Sequence, residues 1–327
     1  MEGLEDQAEA ALGGLLQQLR CDQRVEIGRS SRDMVISHIA EELKNEQTVT
    51  KSLVIRGGIS MNGLAMLQQG LVENDTIEEL QFVCLKTVQE LQGAIDCCRR
   101  QPRIRSLSLK SYTPPTSRRV GEGSEVIAAT IRDCLFGVGR YWQDDEDSLC
   151  RRPGGGIPTL RILEIEAYPI GTGGLAVLVD SIARNTTLET LRLLDCDLRS
   201  DSISNVANMI KRNNHLKELD LSYNRQYLGS EITRELTLKT LVQRGLRFNM
   251  SLLELKLEQT RGGPIKRGHR QLVRHLDISK FRAAFVDLKR DPFEIPAELW
   301  TYVLARVALK PSALYLFLQE SAVTIFR

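Results

Sequence analysis

The chain is poor in aromatic rings, with 8 Phe, 7 Tyr and 2 Trp among 327 residues. That scarcity argues against a small β domain built around an aromatic core. Long apolar runs are also missing. No stretch approaches the roughly 18 uninterrupted apolar residues of a membrane helix, so no membrane partner is expected. The seven cysteines (Cys21, Cys84, Cys97, Cys98, Cys134, Cys150 and Cys196) are odd in number and show neither a CxxC pair nor a Cys/His metal spacing. They read as reduced thiols, most of them small core fillers, in a cytoplasmic protein, with a nuclear location also open. Neither charge sign dominates. Lys plus Arg is 44, Asp plus Glu is 42 and the net charge is +2, which gives no general argument for nucleic acid. The acidic opening Met1-Glu-Gly-Leu-Glu-Asp6 fits neither a secretory signal nor an Arg-rich transit peptide. What is present in excess is leucine, 47 residues. Leucine without rings points to repetitive aliphatic layering, and a repeat is the first thing to seek.

Six segments share the frame apolar-x-x-apolar-x-apolar: Ile77–Phe82, Ile104–Leu109, Leu160–Ile165, Leu188–Leu193, Leu216–Leu221 and Leu252–Leu257. Val49, Ser52 and Val54 fit it with Ser in a leucine slot, and Arg24–Ile27 is a weaker match. The middle positions Val25, Ser52, Leu80, Leu107, Leu163, Leu191, Leu219 and Leu255 then step by 27, 28, 27, 56, 28, 28 and 36. The step of 56 is two periods but holds one helical pattern, so the remainder is an insertion. Asn74, Asn185, Asn213 and Asn249 each stand six residues before the next register leucine. Ahead of each unit's end lies an apolar i, i+3, i+4, i+7 stripe. The clearest are Leu175, Leu178, Val179, Ile182 and Ile203, Val206, Ala207, Ile210; Leu64, Leu67, Leu71 repeats it with Gln68 as the exception. Ile36, Ile39, Ala40, Leu43 and Leu91, Ala94, Ile95, Cys98 follow the same rule. Each unit therefore reads as a short strand, a turn and a helix. One such unit cannot bury its apolar face alone, and stacked units share a continuous core.

The period, the LxxLxL core and the helical second half resemble leucine-rich repeats of the ribonuclease-inhibitor type, found also in the sensor arm of NOD-like receptors and in the Ran GTPase-activating protein. The most specific stretches are Leu188-Glu-Thr-Leu-Arg-Leu-Leu-Asp-Cys196-Asp-Leu198 and Leu216-Lys-Glu-Leu-Asp-Leu-Ser-Tyr-Asn224. The resemblance implies that Cys196 and Asn224 bond loop backbone after the strand, with Gly57 and Tyr168 as degenerate occupants of that slot. The expected fold is an α/β solenoid of about eight strand–helix units curved into a horseshoe, its parallel sheet concave and its helices convex, with an α-helical C-terminal cap.

The expected organisation is an N-terminal helix or tail over 1–20, repeats over 21–260 and a cap over 261–327. The first helix serves as a cover for the open end or as a partner-binding helix. The insertion is placed at 138–158, rich in Gly and clustered acids. Its run Asp144–Asp147 lacks the DxDxDG spacing of a calcium loop, and Ser148 beside it offers a site for an acid-directed kinase. Residues 261–290 hold nine Lys or Arg against two Asp, a local charge of +7. They suit phosphate contact or the solvated side of a helix with Leu272, Leu276, Phe281, Phe285 and Leu288 inward, and they lack the interleaved aromatics that stack bases, so nucleic acid is not the expected partner. Residues 295–304 look like the opening of an F-box, which makes a ubiquitin-ligase substrate receptor one alternative.

No catalytic, cofactor or metal constellation stands out. Gly171-Thr-Gly173-Gly174 precedes no Lys-Ser/Thr, and His38, His215, His269 and His275 share no helix face for a metal. The expectation is a non-enzymatic, monomeric scaffold or adaptor for a protein partner. A GTPase-activating regulator similar to the Ran protein is the enzymatic alternative. Strand residues alternate, so those between and after the leucines of LxL face the concave side. The candidate partner face is Gln81, Val83, Lys110, Tyr112, Glu164, Glu166, Arg192, Leu194, Asp220, Ser222, Tyr223, Lys256 and Glu258, with Ser108 beside Lys110. Leu53 and Ile55 are expected to make its N-terminal end apolar. Tyr and Arg are its expected hot spots.

Overall fold

The computed structural model describes residues 2–28, 33–99, 101, 103–111, 124–136, 157–224, 236, 237, 239–249 and 251–257. The segment 261–327 expected to form a cap, the acidic run with Ser148, and the stretch 295–304 lie outside the described residues, as do His269 and His275.

The elements alternate along the chain: α1 (Glu2–Cys21), β1 (Arg24–Ile27), α2 (Asp33–Leu43), β2 (Ser52–Arg56), α3 (Met61–Glu73), β3 (Glu79–Leu85), α4 (Val88–Arg99), β4 (Ser106–Ser111), α5 (Ser124–Phe136), β5 (Ile162–Glu166), α6 (Gly171–Arg184), β6 (Thr190–Leu194), α7 (Ile203–Arg212), β7 (Glu218–Leu221) and β8 (Glu254–Leu257). Between β7 and β8 the α-helical residues 236, 237, 239 and 240 are followed by a π turn at Leu241–Gly245 and a 3-10 turn at Leu246–Phe248. The strands form one open sheet in the order β1 to β8, every pair parallel. A helical crossover returns the chain to the start of each next parallel strand.

Register explains the repeat. Val25, Leu53, Leu80, Leu107, Leu163, Leu191, Leu219 and Leu255 stand side by side across the sheet. They merge into one core with the helix stripes, including Ile39, Leu67, Leu91, Leu178 and Val206. Gln68, the exception in its stripe, donates Nε2 to the Asp96 carbonyl of the next helix at 3.1 Å. At the first edge, Leu19 of α1 is buried and Arg20 makes a two-pronged pair with Glu42 of α2 at 2.7 and 2.8 Å.

Three expectations are corrected. The second unit slips by one residue: Leu53, not Ser52, holds the register position. Its first apolar slot is then Thr50, buried, whose hydroxyl donates to the Leu19 and Asp22 carbonyls at 3.0 and 2.8 Å, while Val49 is 45% exposed. Leu53 and Ile55 therefore point into the core, fully or almost fully buried, and do not make the sheet's other face apolar. The slip also moves Gly57 out of the Cys/Asn slot. Ile157, near the end of the segment 138–158, is buried in the core.

The recurrent asparagines are staples. Asn213 Nδ2 donates to the Ile182 and Asn185 carbonyls of the preceding unit at 2.6 and 3.1 Å, and its Oδ1 accepts from His215 N and Leu216 N at 2.9 and 2.7 Å. Asn249 repeats this on Ile210 and Asn213, and Asn74 on Leu43. Gln101, at the same offset before Leu107, takes the role with its longer amide, bonding the Leu71 carbonyl at 2.7 Å. Each amide ends a helix, shapes the turn into the next strand and ties two units together.

Candidate functional site

Helices cover the face that receives the leucines, and no described element covers the other. On that open face two or three residues of each strand line up in rows. The middle row reads Glu26, Val54, Gln81, Ser108, Glu164, Arg192, Asp220 and Lys256. The row after it includes Arg56, Val83, Lys110, Glu166 and Leu194. The row before it includes Arg24, Glu79, Ile162, Thr190, Glu218 and Glu254. The alternation places Gln81, Val83, Lys110, Glu164, Glu166, Arg192, Leu194, Asp220, Ser222 and Lys256 on this one surface or its rim. Tyr112 and Glu258 lie outside the described residues.

Most of its charged groups in the second half are joined. Lys110 donates to Glu164 at 2.8 Å and to Glu166 at 2.7 Å. Arg192 reaches Glu164 and Glu218, both at 3.3 Å. Lys256 continues to Glu218 at 2.9 Å and lies 3.6 Å from Glu254. Ser108 donates its hydroxyl to Glu164 at 3.2 Å. The result is a chain of alternating charge from β4 to β8. Burial pushes the Glu164 carboxyl up, but the bonds from Lys110, Arg192 and Ser108 outweigh it and hold it below the ordinary carboxylate range. Glu218 behaves alike, burial being outweighed by Lys256 and Arg192. Burial depresses the Lys110 ammonium, and Glu164 and Glu166 more than restore it, leaving it raised. Asp220 is almost buried, and its Oδ1 accepts from Ser222 N at 2.9 Å. The first half of the face is quieter: Glu26 pairs with Arg56, and Arg24 donates to Gln81 at 3.4 Å.

Glu218 and Glu254 were missed by reading only the residues between and after the leucines. Strand alternation carried one step toward the N-terminus would have included them. A second missed feature lies at the strand exits. Gly57, Cys84, Ala167, Asp195 and Tyr223 each stand four residues after the register residue, and all have positive φ, at 119°, 76°, 60°, 52° and 65°. Four of these five are not glycine, so L side chains occupy a left-handed turn that glycine adopts more readily. At β7 this turn lifts the Tyr223 ring to the rim of the face, 62% exposed. The following slot holds the turn in place. Asn224 accepts from Cys196 N and Leu198 N at 2.9 and 3.1 Å and donates to the Leu193 carbonyl at 2.7 Å. Cys196 Sγ lies 3.5 Å from the Ile165 carbonyl.

Other sequence features take ordinary places. A Cβ on Gly174 would stand 2.8 Å from the Ser124 carbonyl oxygen, so this glycine lets α6 approach α5. Burial, with Asp96 adding to it, pushes the Cys97 thiol up to about 12, which keeps it protonated and unreactive. His38 and His215 are exposed and in different units. Among the described residues no group of three or more His, Cys, Asp or Glu is placed to hold a metal ion. Nor, among them, is any helix long and apolar enough to cross a membrane.

No protein-family model and no curated protein matches the chain. Among solved structures it is similar to the leiomodin-1 actin-binding site 2, at 11% identity over 84% of this chain and 93% of that chain, with a TM-score of 0.20.

Proposed function

We propose that this chain is a leucine-rich-repeat scaffold of the ribonuclease-inhibitor type, curved as a horseshoe with the open face concave, that binds a protein partner there without catalysing a reaction. The observation that carries this reading is the open face itself. Eight strands hold two or three side chains each at fixed spacing, and apart from Val54 the core uses almost none of them. A rigid sheet with its ion pairs already formed loses little freedom on docking, which favours recognition of a folded surface. Val83, Leu194 and Tyr223 supply apolar and aromatic contact between the charged groups.

The test uses an identified partner, obtained by affinity purification of the tagged chain, and the variants Val83→Arg, Leu194→Arg and Tyr223→Ala. These side chains lie outside the charged chain, so they probe the face without breaking it. Binding should weaken by about tenfold or more for at least one of them, as loss of a hot spot implies. Wild-type affinity in all three, with the circular dichroism unchanged, removes the partner from this face.

A further inference from the structure

Carboxylates outnumber cations on one half of the open face. Strands β5 to β8 place Glu164, Glu166, Glu218, Asp220 and Glu254 there against Arg192 and Lys256, five negative charges against two positive. Both cations are already engaged, Arg192 by Glu164 and Glu218, and Lys256 by Glu218. Tyr223 stands at the exit of β7, three residues beyond Asp220, in the same exit row as Asp195 after β6. The Asp195 amide donates to the Ser222 carbonyl at 3.3 Å, which ties the two exits together. The Tyr223 ring is mostly in solvent, so the core does not need it, and a bulky residue is uncommon at positive φ. The Lys211 ammonium lies 4.9 Å from the centre of the Phe248 ring, but no cation among the described residues stands over Tyr223.

We infer that Tyr223 is the platform for an arginine of the protein partner, and that the carboxylates of the β5–β8 half are its electrostatic counterpart. This rests on the open face being the partner surface and adds what the partner presents to it. Charge is the first argument. An acidic partner is repelled by five carboxylates against two engaged cations. A purely apolar one would strip water from Glu166, Asp220 and Glu254 and give their oxygens nothing in return. The chain as a whole carries +2, so any attraction for a basic segment is local to this half. The ring is the second argument. Its negative face attracts a cation, and the neighbouring Asp195 and Asp220 reinforce that field. A guanidinium is planar, so it stacks on the ring and still directs N–H donors from its edge to a carboxylate. A lysine ammonium offers a point charge without the stacking surface.

The test uses the full chain and three fluorescein-labelled probe peptides, Gly-Ser-Arg repeated four times and its Lys and Glu counterparts, read by fluorescence anisotropy at low salt. The Arg peptide should bind more tightly than the Lys peptide, and the Glu peptide should not bind. Tyr223→Ala should weaken the Arg peptide by about threefold or more, the scale of an exposed cation–ring contact, and bring it level with the Lys peptide. Tyr223→Phe keeps the ring and should keep the wild-type affinity. The double variant Glu166→Gln, Glu254→Gln should weaken the Arg and Lys peptides alike, by about twofold or more, since it removes charge without touching the ring. Unchanged circular dichroism shows that each variant is folded. No binding of the Arg peptide overturns the inference, as does a Glu peptide that binds equally well or an affinity indifferent to Tyr223→Ala. If Val83→Arg or Leu194→Arg still weakens the purified partner while the Arg peptide fails, the open face stands as the partner surface and only the arginine assignment falls.

Discussion

The two faces of the sheet contrast sharply. The inner face repeats almost one residue: across eight strands its register row is Val25, seven leucines and nothing else. The outer face changes sign and character from strand to strand, as in Ser108, Glu164, Arg192, Asp220 and Lys256. The difference follows from what each side must do. Inner side chains pack on two neighbouring units and a helix layer, so volume and shape are constrained from every side. Outer side chains meet mainly their neighbours on the same face, within and between rows, so the fold tolerates variety there.

The largest expected effect separates the faces directly. Leu219→Ala opens a cavity between Leu191 and Leu255 and should cost about 2–5 kcal/mol in urea unfolding. Leu194→Ala, on the outer face of the adjacent strand, should stay within about 0.5 kcal/mol of wild type. Similar losses at both positions would erase the distinction. Next comes the staple. Asn213→Ala leaves the Ile182 and Asn185 carbonyls and the amides of His215 and Leu216 without their partner. The cost should be about 2–3 kcal/mol, against a negligible change for its exposed neighbour in Asn214→Ala. A smaller effect of the opposite sign is expected at the strand exits. Ala167 holds φ at 60°, so Ala167→Gly should raise stability by about 0.5–1 kcal/mol, read as an upward shift of the melting temperature. A loss there would show that the methyl group contributes more by contact than it costs in strain.

The inner face was largely legible in the sequence, and the outer face only in part. Leucines at a fixed period and helical stripes such as Leu175, Leu178, Val179 and Ile182 name their own neighbours, because burial leaves few alternatives. The one slip, at Ser52, came where Thr50 replaces an apolar residue and satisfies its hydroxyl inside the turn. Polarity alone could not reveal that, since the bonds go to Leu19 and Asp22 about thirty residues away. The asparagine offsets were visible, but their role depends on carbonyls of the preceding unit. The left-handed exits were hidden for a related reason: Cys84, Ala167 and Tyr223 carry no glycine signal and are held there by the surrounding structure. The outer rows were legible as positions, and alternation carried one step further would have added Glu218 and Glu254, but the pairing of Glu218 with Arg192 and Lys256 depends on cross-strand register.

The smallest effect tests whether the outer face is a passive surface or a coupled one. Glu164 and Glu218 have folded carboxyl values held below their unfolded value of about 4.3. Their pairing therefore contributes in full above that value and is lost as the pH falls through the lower, folded one. Lys110 and Lys256 are raised, so their contribution is complete below the unfolded value near 10.4 and disappears as the pH rises through the higher, folded one. Between about pH 5 and pH 10 the whole chain of pairs stands. Arg192 bridges both carboxylates, so Arg192→Met should cost under about 1 kcal/mol at pH 7, the scale of half-exposed pairs. It should also flatten the acid limb of stability against pH below 5, and 1 M salt should do the same to the wild type. Leu219→Ala should lower the whole curve without flattening that limb. An acid limb equally steep with and without Arg192 would mean that the carboxylates act singly, and that the open face is a set of independent side chains on a shared sheet.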